Sequence, residues 1–115
     1  MPKSLLKFAA QLKLPLTQVQ AEQLVRYARC VWEKKDFLNL TSAQTFEEVL
    51  HRHICDGLMA ASQVHKRGLC SAQLADVGAG CGYIGMTLAV ALPQAHVTLI
   101  ESLEQIGRAS CRERV

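Results

Sequence analysis

The segment Asp76-Val77-Gly78-Ala79-Gly80-Cys81-Gly82-Tyr83-Ile84-Gly85 carries the strongest chemical signal in the chain. Its glycines let the backbone turn sharply and leave no side chains where a ligand would approach. Gln73–Val77 before it reads as a short strand. Tyr83–Leu92 after it reads as a helix stopped by Pro93, so the turn delivers the free N–H groups of a helix N-terminus. His96–Ile100, rich in β-branched residues, reads as a second strand. Glu101 follows it, 23 residues after Gly78. A carboxylate there can accept hydrogen bonds from both hydroxyls of a ribose. The arrangement predicts a site for an adenosine-containing cofactor at the carboxyl edge of a parallel sheet. A glycine turn without a ligand satisfies the loop alone, and the spacing to Glu101 argues against it.

Two cofactor classes compete for this loop. Gly80-Cys81-Gly82-Tyr83-Ile84-Gly85 fits the G-x-G-x-x-G fingerprint of dinucleotide domains, which would make the chain part of an NAD-dependent oxidoreductase. Asp76 stands two residues before Gly78, and the resulting D-x-G-x-G-x-G resembles the first motif of S-adenosylmethionine methyltransferases. About 70 residues of helical pattern precede the first strand, which also favours the second class.

The elements that must position the loop are legible as amphipathic helices. Leu5, Leu6, Phe8, Ala9 and Leu12 recur at helical spacing, with Pro15 expected to end that helix. Thr17-Gln18-Val19-Gln20 is a capping-box pattern. It opens a helix to about Lys35 with Leu24, Ala28, Val31 and Trp32 on one stripe. Phe37-Leu38-Asn39-Leu40-Thr41 reads as an extended connector. Thr45-Phe46-Glu47-Glu48 is a second capping box, and Val49, Leu50, Ile54, Leu58 and Ala61 share one face of the helix it starts. Gly57 inside that helix costs about 1 kcal/mol relative to alanine, which predicts a close approach by another element. Gly68 ends the helix. The strand–helix–strand unit that follows predicts parallel strands. The expected architecture is α/β, three helices followed by the start of a parallel sheet.

With 115 residues the chain holds one domain at most. Lys3, Lys7 and Lys13 interrupt the first apolar residues before a signal-like run can form, and no run reaches the ~18 apolar residues of a membrane span. A cytoplasmic protein is expected. The five cysteines (Cys30, Cys55, Cys70, Cys81 and Cys111) are odd in number and include no Cys-x-x-Cys pair, so reduced thiols are expected rather than a disulfide scaffold. Residues 1–70 hold ten Lys/Arg and six Asp/Glu, net +4, whereas residues 71–105 carry only Asp76, Glu101 and Glu104, net −3. A basic segment ahead of an acidic one could suit a nucleic-acid partner; on charge alone an ordinary solvated surface accounts for it better. His51, His53 and Cys55 crowd one helix, but no second ligand cluster completes a metal site. Trp32 continues the core stripe, and Cys81 reads as a small spacer in the loop.

Three blocks, in order and at consistent spacing, carry a family resemblance: Asn39-Leu40-Thr41, then His53-Ile54-Cys55-Asp56, then DVGAGCGYIGM with Leu99-Ile100-Glu101-Ser102. Together they are similar to the small-subunit rRNA guanine-N7 methyltransferases, formerly called glucose-inhibited division protein B, over residues 1–104. The resemblance implies a helical extension followed by a doubly wound, Rossmann-like S-adenosylmethionine methyltransferase sheet. It implies S-adenosylmethionine as methyl donor and 16S rRNA or the small ribosomal subunit as acceptor; no metal, no membrane and a monomeric chain are expected beside it. Carried over, Gly78, Ala79 and Tyr83 line the cofactor, Gly80 and Gly82 shape its loop, and Glu101 holds its ribose. Asn39, His53, Asp56 and Asp76 are expected around this site, with His53 and Asp56 hydrogen-bonding near its mouth. Guanine N7 already carries an in-plane lone pair, so the implied reaction needs positioning and exclusion of water rather than a nucleophile. Gly57 stands where the family's His-x-x-Asp-Ser block has serine, and Ile84 where its loop has proline. A non-catalytic RNA-binding or regulatory module made of the basic helices is the alternative outside enzyme chemistry.

The last ten residues, 106–115, lack helical periodicity and resemble the translation of a common sequencing adapter. The expected division is therefore 1–70, a helical segment; 71–105, the first strand–helix–strand of a methyltransferase domain; and 106–115, foreign sequence. A sheet begun but not completed is expected to leave apolar faces open and the fragment inactive.

Overall fold

The computed structural model describes residues 2–38, 44–78 and 82–100, with the side chains of 35–38 left aside. Helix α1 spans Pro2–Gln11 and buries Leu5 and Ala9. Pro2 suits the first helical position, where its missing N–H costs nothing. The helix stops before Pro15 is reached. Lys13 takes the left-handed conformation (φ 59°), and the Leu14 N–H donates back to the Ala9 carbonyl at 2.9 Å. That is the Schellman pattern, which closes the last turn by its own hydrogen bonds. Ser62, fully buried, donates its hydroxyl to the Leu12 carbonyl at 3.1 Å.

Helix α2 spans Gln18–Leu38. Its capping box forms in full: Gln20 N–H donates to Thr17 Oγ1 at 3.1 Å, and Thr17 N–H donates to Gln20 Oε1 at 2.8 Å. The same Gln20 amide donates from Nε2 to the Val90 carbonyl at 3.0 Å, joining α2 to a helix 70 residues away. Ala21, Leu24, Tyr27, Ala28 and Val31 make the buried stripe, with Trp32 packed at its edge. The helix continues through Phe37 and Leu38, which the sequence pattern assigned to a connector. Lys34, Lys35 and Asp36 end the apolar stripe, but none of them breaks a helix.

Helix α3, Phe46–Glu48, is a single turn capped by the Thr45 hydroxyl, which accepts from Glu48 N–H at 3.0 Å. The Glu48 carboxylate reaches Gln44 N–H at 2.7 Å. That hydrogen bond, with help from Arg52, holds the half-buried Glu48 carboxyl below its ordinary pKa. Arg29 of α2 sits 4.6 Å above the Phe46 ring, a cation–π contact between the two helices. The chain then winds as a π-helix over Val49–Ile54 before α4, Cys55–Lys66. Val49, Leu50 and Ile54 are fully buried; Val49 and Ile54 are five apart, the π repeat, so the wider winding keeps both on the core side. Sequence periodicity had predicted one regular helix here.

Strand β1, Gln73–Val77, and strand β2, His96–Ile100, pair in parallel with Asp76 opposite Leu99. Between them runs α5, Tyr83–Ala91, which packs on α4 and α2 on one side and on the strands on the other. Its sequence is apolar all round, as a helix covered on several sides requires. Gly57 of α4 faces Thr87 of α5. A Cβ at position 57 would lie 2.5 Å from the Thr87 Cβ and 2.8 Å from its Oγ1, so the predicted close approach exists. The family's serine has no room there. Leu74, Val97 and Leu99 face the helices, whereas Val77 and Ile100 lie open, 76% and 47% exposed.

Candidate functional site

The carboxyl ends of both strands and the start of α5 converge on one spot. Gly78 N–H donates to the Ile100 carbonyl at 2.8 Å, extending the ladder one residue beyond β1. This joins the first loop glycine to the residue that directly precedes Glu101. Gly78 has φ +69°, and nothing lies within 4 Å of where its Cβ would be. The backbone there requires glycine and borders open space, as close approach by a ligand demands.

Gly82, also left-handed at φ 86°, is the N-cap residue of α5 and has no side chain to cap it. The cap comes from the strand: Asp76 Oδ2 accepts the Gly85 N–H at 2.9 Å. A carboxylate at a helix N-terminus satisfies a free donor and complements the helix dipole. Asp76 thus ties β1 to the first turn of α5. Gly85 is needed for packing, since a Cβ would run into Leu99 and crowd Asp76 Oδ2 at 3.1 Å.

Tyr83, the first residue of α5, is half-buried in a ring cluster. The His53 imidazole stacks on it, centroids 4.4 Å apart and planes 6° from parallel. Tyr27 of α2 meets it edge-on at 6.4 Å and 77°. The structure thus brings Asp76, Gly78, Gly82, Tyr83 and His53 together. His53 arrives by ring stacking; among the described residues no hydrogen bond joins it to Asp56, which is exposed. Asn39, Ala79, Gly80 and Glu101 lie outside the described residues, as do residues 106–115. Tyr27 escaped sequence analysis because it also fits the core stripe of α2.

Cys55 is an ordinary buried thiol: burial first, then the neighbouring Asp56 charge, pushes its pKa up. A reactive cysteine needs the opposite environment. Among the described residues no three His, Cys, Asp or Glu side chains are placed to hold a metal, and no helix is long and apolar enough to cross a membrane.

Helices packed with a parallel two-stranded sheet, whose strands are joined through α5, define the class: an α/β protein. The family model described as rRNA small subunit methyltransferase G matches residues 20–106. The chain belongs to that family. It is 38% identical over 111 residues to the ribosomal RNA small subunit methyltransferase G of Sodalis glossinidius, covering 96% of this chain and 50% of the relative. The protein of the same name from Alkaliphilus oremlandii is 32% identical over 104 residues, covering 90% of this chain and 43% of its own length. That from Photobacterium profundum is 34% identical over 103 residues, covering 90% and 48%. The chain spans about half the length of the curated relatives it matches. No solved structure matches it.

Proposed function

We propose that this chain is part of an S-adenosylmethionine-dependent methyltransferase acting on guanine N7 of 16S rRNA in the small ribosomal subunit. The observation that carries the reading is the loop: a glycine at φ +69° beside open space, bonded to the strand end that leads into Glu101, and followed by a helix start capped from Asp76. Membership of the rRNA methyltransferase family supports the choice of this cofactor over a dinucleotide. Gly78, Ala79, Gly80, Gly82 and Tyr83 would hold S-adenosylmethionine along the turn, and Glu101 would take its ribose hydroxyls. Bound there, the cofactor supplies an electrophilic methyl group on a sulfonium. The chain's own residues orient it: Asp76 fixes the start of α5, and Gly78 and Gly82 supply backbone geometry that other residues adopt only with strain. No nucleophile is required, because positioning a ready lone pair is the main task.

Residues 1–70 and 71–105 are inferred to be a helical extension and the start of a doubly wound, Rossmann-like sheet that share one core, and residues 106–115 to be foreign to it. Support for this comes from the single apolar cluster running through α1, α2, α4, α5 and β2. Calorimetric titration of the complete protein tests the cofactor: S-adenosylmethionine binds, NAD does not, and Gly78→Val weakens binding at least tenfold. Transfer of labelled methyl from S-adenosylmethionine to small ribosomal subunits tests the acceptor. Binding of NAD in preference to S-adenosylmethionine would overturn the reading.

A further inference from the structure

We propose that His53 is a positioning residue for the glycine loop, acting through the face of Tyr83. The inference rests on the reading of that loop as the cofactor site. The imidazole lies 4.4 Å from the Tyr83 ring with the planes 6° from parallel, so the two rings are in face contact. Tyr27 closes the edge at 6.4 Å, which leaves the Tyr83 side chain clamped between α2 and the π-helical turn. Tyr83 is also held through its backbone, because Thr87 Oγ1 donates to its carbonyl at 2.6 Å. It is the first residue of α5, next to Gly82 and two before Gly85.

The segment that carries His53 is anchored in the core. His53 sits in the π-helix, whose Val49, Leu50 and Ile54 are fully buried. π-helical turns are rare, appear mostly as single turns within α-helices, and are frequent at functional sites. Here the turn carries His53, whose ring meets the residue that begins α5. Anchored π-turn, stacked imidazole, clamped tyrosine and helix start form one continuous contact path. His53 touches neither cofactor nor substrate in this scheme. It fixes the direction in which the N–H groups of the first turn of α5 point.

The test compares His53→Leu, which fills the space without a π face, with His53→Phe, which keeps the stack. Backbone amide exchange in the intact protein is read at Gly85 and Met86, whose N–H groups bond Asp76 at 2.9 Å and Gly82 at 2.8 Å. Loss of a stacked pair should raise exchange at both amides about two- to tenfold in His53→Leu, with Leu24 of α2 unchanged, while His53→Phe stays near the native rate. S-adenosylmethionine affinity should fall by a similar factor in the leucine variant only. Native exchange in His53→Leu, or a phenylalanine variant no better than leucine, would overturn the proposal. If the exchange pattern holds but the native protein fails to bind S-adenosylmethionine, the positioning of α5 by His53 stands and the cofactor reading falls.

Discussion

Adding one methyl group at position 57 tests the contact on which α5 is seated. The Cβ of Gly57→Ala would lie 2.5 Å from the Thr87 Cβ and 2.8 Å from its Cγ2 and Oγ1. Carbon atoms pack at about 3.5–4.0 Å, so α4 and α5 must part by roughly 1 Å locally. Thr87 is fully buried and its hydroxyl is held by the Tyr83 carbonyl, so it has nowhere to rotate. Overpacking of this kind costs about 1–3 kcal/mol. Replacing glycine by alanine in a helix interior returns about 1 kcal/mol. Because the clash is with a Cβ rather than with a flexible side-chain end, the upper part of the range applies, and a net loss of about 1–2 kcal/mol is expected. That corresponds to a fall in Tm of about 4–16 °C for a chain of this size. Urea or thermal unfolding followed by circular dichroism measures it. Thr87→Ala removes the two contacts at 2.8 Å but keeps the Cβ at 2.5 Å, so it should recover less of the loss as a coupling energy than Thr87→Gly. A Gly57→Ala protein as stable as the native one would refute the packing argument.

Gln20→Ala removes both the cap acceptor and the bond to Val90, and should lower unfolding free energy by about 1–2 kcal/mol. Gln20→Glu keeps the cap but has no N–H for Val90, so it should recover only part; full recovery would show that the bond across to α5 contributes nothing. Glu48 has a folded pKa below its ordinary 4.5, held down mainly by the Gln44 N–H, so its stabilising effect is present above that value and lost as pH falls through the folded value. The acid limb of a Tm–pH profile should flatten in Glu48→Gln; an unchanged limb would remove Glu48 from the account. Cys55, buried and with a raised pKa, should react with a disulfide reagent at neutral pH at least about tenfold more slowly in the folded chain than after denaturation. Half-buried Cys30 and Cys70 should be labelled before it. Equal rates at Cys55, folded and unfolded, would contradict its burial.

What was legible in the sequence was set by local chemistry. The capping box at Thr17 and Gln20, the stripe through Leu24, Ala28 and Val31, the glycine turn and the two strands each follow from a few neighbouring residues. The family blocks made the loop residues recognisable. Gly57 pointed correctly to a close contact, though its partner Thr87 lies 30 residues away and carries no local sign. The misses share a cause. Lys13 ends α1 by adopting a conformation unusual for lysine, where Pro15 offered the more obvious stop. The π winding at Val49–Ile54 leaves an apolar pattern that an α-helix also fits. The second role of Gln20, and the meeting of His53 with Tyr27 and Tyr83, depend on tertiary placement that no window of sequence contains.

The π-helical turn makes residue number, as well as residue identity, a determinant of the site. An α-helix advances about 100° per residue. A π-helical residue advances less than that, so the turn over Val49–Ile54 takes up one residue more than an α-helix would need for about the same rotation. Deleting one residue here would let the segment relax to regular winding with the turns on either side facing as before, and the change would fall on the residues inside the turn, His53 among them. Substitutions at the exposed His51 and Arg52 should be tolerated, whereas loss of either position should move His53 relative to Tyr83. The extra residue is spent on the direction of one side chain, and the helix on either side does not register it.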